Sequence, residues 1–270
     1  MTLRARLDEV QRRAARGMEF GLDRMREALA RLGDPQDALR AVHVAGTNGK
    51  GSTSAMVESI ARAAGLSTGL YTSPHLCRFA ERIRIDGESI DDLRFEAALA
   101  TVLDGAGVEL TFFETLTAAA FVAFRDARVD LAVIEVGLGG RLDATNTMRA
   151  PLACAITSID LDHTEWLGAT RDLVAREKAG VARAGVPLIV GALGDEALAA
   201  VRDVAGAIGA PVFAVGGAAS ASNVALEGPH QRHNAALASA VAGSLASHPG
   251  FERMASSIDR GLASASWPGR

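Results

Sequence analysis

The sequence predicts an α/β protein, a mostly parallel sheet with helices on both faces. Short apolar runs alternate with longer amphipathic segments along its 270 residues. Those runs are nearly continuous, as strands covered on both faces require. Strand–helix alternation of this kind places ligands outside the carboxyl ends of the strands.

The elements follow in order. Residues 7–32 carry Leu7, Val10, Leu22, Met25, Leu29 and Leu32 at helical spacing, interrupted around 17–21. Residues 41–45 form an apolar strand, followed by a glycine loop and a helix over 52–64 that stops at Gly65. Residues 68–72 form a second strand. Arg82-Ile83-Arg84-Ile85 alternates polar and apolar, which predicts an exposed edge strand or hairpin arm. Helices are expected at 91–103 and 114–127, and strands at 131–134 and 152–157. Helix 170–183, strand 186–190, helix 195–208 and strand 211–215 continue the alternation. Helices at 230–246 and 251–264 close the chain, and the Gly/Ala/Ser-rich stretch 216–222 reads as a loop.

Composition narrows the function classes. A formal net charge of −4 and a pI near 5.9 give no electrostatic reason for a nucleic-acid partner. No apolar run approaches the ~20 residues that span a bilayer, and the N-terminus lacks the apolar core of a secretory signal. Cys77 and Cys154 read as reduced thiols of a cytoplasmic protein. Of 28 basic residues only Lys50 and Lys178 are lysines, and both fall in glycine-flanked motifs. An ammonium can shift its pKa and react, which a guanidinium does not.

The strongest chemical signal is Val44-Ala45-Gly46-Thr47-Asn48-Gly49-Lys50-Gly51-Ser52-Thr53, between an expected strand and an expected helix. Its glycines let backbone N–H groups cradle phosphate oxygens, and the helix N-terminus adds a positive dipole end. Lys50 can reach terminal phosphates, and Ser52 or Thr53 can ligate Mg²⁺. This makes the sheet P-loop-type, with a departure: Gly51 separates Lys50 from the hydroxyl. Glu135 directly follows an apolar strand, where a buried carboxylate needs a cation or an ion pair, Arg141 being one partner for it. His163 follows strand 152–157 in a similar topological position.

The loop spelling resembles the Mur-ligase superfamily, in its folylpolyglutamate/dihydrofolate synthase branch. Further motifs match in order: Thr72-Ser73-Pro74-His75-Leu76, then Glu135-Val136-Gly137-Leu138-Gly139-Gly140-Arg141-Leu142-Asp143-Ala144-Thr145-Asn146. Thr157-Ser158-Ile159-Asp160-Leu161-Asp162-His163-Thr164, Glu177-Lys178-Ala179-Gly180, His230-Gln231-Arg232-His233-Asn234-Ala235-Ala236 and Trp267-Pro268-Gly269-Arg270 complete the set. The Leu138-Gly139-Gly140-Arg141-Leu142-Asp143 signature argues against a cell-wall ligase of the same superfamily.

The resemblance implies that ATP is a substrate, with Gly46 through Thr53, Asn234 and Arg270 on the nucleotide. It implies two Mg²⁺ sites, with Ser73, Glu135 and His163 as ligands and a carbamylated Lys178 at the second. Lys50, Lys178 and His163 are the expected catalytic residues. Met18, Glu19, Phe20, Thr111, Phe112, Phe113, Glu114, Leu142, Asp143 and Ala144 match segments that contact dihydropteroate. The implied reaction is phosphorylation of a dihydropteroate or folate carboxylate, then attack by the amino group of L-glutamate, in a cytoplasmic monomer. Residues 1–266 correspond to the ATP-binding domain and 267–270 to the start of an interdomain linker. The domain that completes the sites in relatives is not expected within these 270 residues. The alternative is a non-catalytic Mg-ATP-binding remnant with a regulatory or partner-binding role.

Overall fold

The computed structural model describes residues 2–14, 17, 21–217 and 223–267. Its elements in chain order are α1 (Leu3–Ala14), α2 (Asp23–Arg31), β1 (Ala41–Ala45), α3 (Lys50–Ala63), β2 (Thr68–Tyr71), β3 (Ile83–Ile85) and β4 (Glu88–Ser89). There follow α4 (Asp92–Gly105), α5 (Phe112–Ala127), β5 (Leu131–Glu135), β6 (Ala153–Ile156), α6 (Thr164–Leu167) and α7 (Arg171–Ala179). Last come β7 (Leu188–Val190), α8 (Asp195–Ile208), β8 (Val212–Ala214), α9 (Gln231–Leu245) and α10 (Ile258–Ser264).

The strands make one sheet in the order β4-β3-β2-β5-β1-β6-β7-β8. Only β3 runs against the others, paired antiparallel with β2 and, in an edge hairpin, with β4, as the alternation at 82–85 predicts. β1 is central, with Val44 opposite Glu135 on one side and Ala155 on the other.

Period-2 alternation divides the core between the two faces. Val42, Val44, Leu131, Val133, Ala153 and Ala155 pack under α3, α9 and α10. On the other face Ala41, Ala132 and Ile134 pack with α1, α2, α4 and α5. Ala45, Cys154 and Ile156 pack with α7 and α8 on that same face. His43 therefore projects into the seam between two apolar clusters.

Local chemistry sets the helix starts. The Asp91 side chain caps α4 by accepting the Arg94 N–H, Thr170 caps α7 through Leu173, and Thr111 with Glu114 forms a capping box on α5. Two helices are shorter than expected. The helix expected to 183 ends at Ala179, where the Arg141 N–H takes the Glu177 carbonyl and the next N–H groups, of Gly180, Val181 and Ala182, bond three residues back instead of four. The helix expected from 251 begins only at Ile258, since Phe251 is buried beneath the Arg40 guanidinium, 4.0 Å from the ring centre. α6 and the 3₁₀ turns at Pro35–Ala38, Phe79–Arg82 and Ala144–Thr147 lie where no helix was expected. No described helix is long and apolar enough to cross a membrane.

Candidate active site

The glycine loop leaves β1 and turns into α3 at the carboxyl edge of the sheet. Gly49 caps α3 with φ +82°, a left-handed conformation that favours glycine. Three neighbours crowd the loop from separate segments. A Cβ on Gly46 would run into Thr157 Oγ1, one on Gly49 into the Asn234 side chain, and one on Gly51 would meet the Trp267 ring at 2.8 Å. The loop is further pinned to the segment after β6. Asn48 donates its N–H to Ser158 Oγ (2.9 Å), Thr157 Oγ1 donates to the Asn48 carbonyl (2.6 Å), and Thr47 donates its N–H to the Ser158 carbonyl (2.8 Å).

Both lysines converge on one atom of this loop. Lys50 Nζ donates to the carbonyls of Gly46 (3.0 Å) and Thr47 (3.1 Å), and Lys178 Nζ donates to the same Gly46 carbonyl (2.9 Å). Lys178 is 3% exposed. Burial, and then the neighbouring Lys50 charge, lower its pKa from 10.5 to about 8. Next to the loop, Asn48, Ser52, Thr157, Gly191, Glu227 and Asn234 help line a cavity of about 750 Å³. Gln231 donates to Ser52 Oγ (3.3 Å), and the buried Thr53 hydroxyl has no hydrogen-bond partner among the described residues.

Two of the three expected metal ligands meet. Tyr71 of β2 lies opposite Ile134 of β5, so Ser73 and Glu135 leave neighbouring strand ends, and Ser73 donates its N–H to Glu135 Oε2 at 2.9 Å. Glu135 is 2% exposed. His163 caps α6 in a left-handed conformation, half exposed and 3.6 Å from Asp162. Among the described residues no three His, Cys, Asp or Glu side chains cluster tightly enough to hold a metal on their own. A hydroxyl, a carboxylate and phosphate oxygens nevertheless form the hard-oxygen set that Mg²⁺ prefers. Arg141 pairs with Glu177 at 2.8 Å, not with Glu135.

The segments expected to meet substrate lie at the start of α5 and in the loop after β5. Phe112 packs edge-on against Phe79 (5.4 Å), with the Arg82 guanidinium 5.3 Å from its ring centre. Arg82 Nε donates to His75 Nδ1 at 2.9 Å, and burial together with the Arg82 charge holds that imidazole below its ordinary pKa. Phe113 lies 6.2 Å from Tyr71 and closes over Gly137. Glu114 is largely occupied: it accepts the Thr111 N–H (2.8 Å) and a two-pronged Arg24 pair, both arms at 3.0 Å. Asp143 is buried and accepts from the Leu138 N–H, the Thr145 N–H and Thr145 Oγ1. Leu142 and Ala144 flank it in the same loop. Met18, Glu19, Phe20 and Arg270 lie outside the described residues.

Sequence reasoning assigned no role to Thr157, Ser158, Gln231 or His43. Thr157 and Ser158 sit in a quoted motif, and their position after a strand beside the glycine loop was the available signal. Gln231 likewise sits in a quoted motif, while nothing local marked His43.

No family model matches the chain. It is 43% identical, over 288 residues, to a probable bifunctional folylpolyglutamate synthase/dihydropteroate synthase of Halobacterium salinarum; the match covers 94% of this chain and 34% of that protein. Among solved structures it is similar to Escherichia coli FolC in complex with DHPP and ADP, with a TM-score of 0.89 and 36% identity. That match covers 100% of this chain and 67% of the other. It is likewise similar to a bifunctional folylpolyglutamate synthase/dihydrofolate synthase with Mn, AMPPNP and L-glutamate bound. There the TM-score is 0.85 and the identity 38%, with 100% and 68% covered. The chain spans about a third of the length of the first curated relatives it matches. Fold and glycine loop together place it among Mur ligase-like α/β proteins. The chain belongs to the folylpolyglutamate synthase/dihydrofolate synthase family.

Proposed function

We propose that the chain binds Mg-ATP on its glycine loop and serves an ADP-forming ligase that joins L-glutamate to dihydropteroate, to folates or to both. The observation that carries this is the convergence of the only two lysines on the Gly46 carbonyl. Two ammonium groups drawn to one neutral carbonyl gather positive charge at the mouth of the loop, and a triphosphate offers that charge anionic acceptors.

In this reading Gly46 through Thr53 hold the phosphates and Asn234 and Arg270 contact the rest of the nucleotide. Ser73, Glu135 and His163 would hold one Mg²⁺. When bound, the metal neutralises phosphate charge and aligns the terminal oxygens. Lys178 would be carbamylated for a second metal: its neutral amine attacks CO₂, an N–C bond forms and one proton is released, leaving a carbamate anion. A pKa near 8 keeps a useful fraction of that amine neutral at cellular pH. Phe112 and Phe113 present aromatic faces to the pteridine, with Thr111, Glu114, Leu142, Asp143, Ala144 and Met18 through Phe20 around it. The substrate carboxylate takes the γ-phosphoryl group of ATP, and the glutamate amine then displaces phosphate. Lys50 contributes charge and position to the first step.

Residues 1–266 are taken as the ATP-binding domain and 267–270 as the start of a linker, with ligation needing a further domain. The protein is read as a cytoplasmic monomer with no nucleic-acid or membrane partner. Calorimetry should show saturable Mg-ATP binding, and its absence would overturn the reading. Glutamate-dependent ADP release by the 270-residue chain alone would overturn the two-domain part only.

Glu135→Gln keeps the shape and removes the charge. It is expected to weaken Mg-ATP about tenfold or more while changing metal-free ATP less than twofold, because the carboxylate acts through the cation. Equal losses in the two titrations would make Glu135 a purely structural anchor for the Ser73 amide.

A further inference from the structure

His43 is a histidine in the middle of the central strand, 1% exposed, between two apolar clusters. A buried imidazole in such a place must be neutral and hydrogen-bonded to be tolerated. Its Nε2 lies 2.8 Å from Thr145 Oγ1. Thr145 is itself fully buried, and its hydroxyl donates to Asp143 Oδ1 at 2.5 Å.

Both Asp143 oxygens accept backbone N–H groups, and with that carboxylate ionised a count of protons sets the direction of this chain. A hydroxyl has one hydrogen, and that of Thr145 is committed to Asp143. His43 Nε2 must therefore carry the proton and donate it to the Thr145 oxygen. The same Asp143 oxygen also accepts the Thr145 N–H at 3.0 Å, and the other accepts the Leu138 N–H at 2.9 Å. The carboxylate thus ties together both ends of the loop that follows β5.

We infer that His43 is a positioning residue for the pteridine site, a neutral Nε2–H donor that aims the Thr145 hydroxyl at Asp143 and so sets the shape of the 137–146 loop. This rests on the proposed reading that the loop meets a pteridine. Burial fits the assignment, since it drives the His43 pKa down to about 3, with the Arg183 charge acting in the same direction. Burial also raises that of Asp143, against its hydrogen bonds. Tyr71 from β2 and Lys178 from α7 are the further titratable groups that sense the Asp143 charge. The relay lies on the face of β1 opposite α3, and none of its printed hydrogen bonds reaches the glycine loop, so it should act more on pteridine binding than on nucleotide binding.

The test uses the full 270-residue chain with two ligands, 7,8-dihydropteroate and Mg-ATP, and the variants Thr145→Val, Thr145→Ser, His43→Leu and His43→Gln. Thr145→Val is nearly isosteric, and is expected to lose about tenfold in dihydropteroate affinity because a buried imidazole N–H and a carboxylate oxygen lose their partner. Mg-ATP affinity should stay within twofold. Thr145→Ser restores the hydroxyl and should restore binding; His43→Gln should do better than His43→Leu for the same reason. Equal losses for both ligands, or no loss with Thr145→Val, would overturn the inference.

¹⁵N-histidine NMR of the wild type supplies a readout that needs no ligand. His43 should show the neutral Nε2–H tautomer throughout pH 5–8, and the Nδ1–H tautomer or a titrating ring would overturn the relay. If the wild type fails to bind dihydropteroate while showing that tautomer, the functional reading fails and the inferred role for His43 falls with it. The hydrogen-bond direction alone would survive.

Discussion

Lys50→Ala is expected to lower Mg-ATP affinity at least about a hundredfold, close to 3 kcal/mol, with the fold intact. Lys50 is only partly buried at the start of α3, so truncation leaves no sealed cavity. Its ammonium bonds two loop carbonyls, Gly46 and Thr47, which indicates how close it stands to any phosphate the loop would cradle. Charge-assisted hydrogen bonds in a partly desolvated site are the strong ones, and among the described residues only Lys178 bonds the loop with a second ammonium. Lys178 bonds the same carbonyl but is held from the opposite side by α7. Lys50→Arg should rescue little, because a planar fork does not fit where a compact point charge sits. Titration calorimetry checks the affinity and a thermal melt the fold; a variant that binds as the wild type does would remove the phosphate-loop reading.

Lys178→Met is expected to change how stability depends on pH, by up to ~3.5 kcal/mol, because burial lowers the Lys178 pKa from 10.5 to about 8 and each tenfold change in proton affinity is worth ~1.4 kcal/mol. The folded pKa is about 8 and the ordinary value 10.5. Between them the unfolded chain binds a proton that the folded chain has released, so the wild type gains stability as pH rises from about 8 to 10.5. Below pH 8 both states hold the proton, and the full cost of burying an ammonium is carried. The methionine variant carries none of that cost. It should therefore be the more stable protein at pH 7, less the lost bond to Gly46, and its advantage should shrink toward pH 10.5. Urea melts in CO₂-depleted buffer measure this, since a carbamate would replace the ammonium. Parallel curves for the two proteins across that range would show that Lys178 is not desolvated in solution.

The sheet was legible because its strands are apolar and short and each is followed by a helix with a stop signal such as Gly65. The glycine loop was legible because phosphate-binding chemistry is local: its glycines, lysine and hydroxyls lie within ten residues. Helix ends failed where a distant segment decided them, as when the Arg141 N–H takes the Glu177 carbonyl that would have continued α7. The His43–Thr145–Asp143 chain was illegible for the same reason. A histidine at an inward strand position looks like any buried imidazole until its partner is brought in from the loop after β5. Glu114 shows the converse. The resemblance of its segment placed it near the substrate, and only the fold shows its carboxylate engaged by the cap at Thr111 and the Arg24 pair.

The crowding of the glycine loop also bears on how this sequence can change over generations. Gly46, Gly49 and Gly51 are each denied a side chain by a different neighbour: Thr157, Asn234 and Trp267. These neighbours come from the segment after β6, from α9 and from beyond α10. The loop's spelling is thus co-written by three distant stretches. A side chain at Gly51 becomes admissible only after Trp267 has shrunk, whereas Gly46 and Gly49, at φ +146° and +82°, resist one even when their neighbours give way. Drift in the loop requires paired substitutions, so its letters should be inherited together with Thr157, Asn234 and Trp267 as one block.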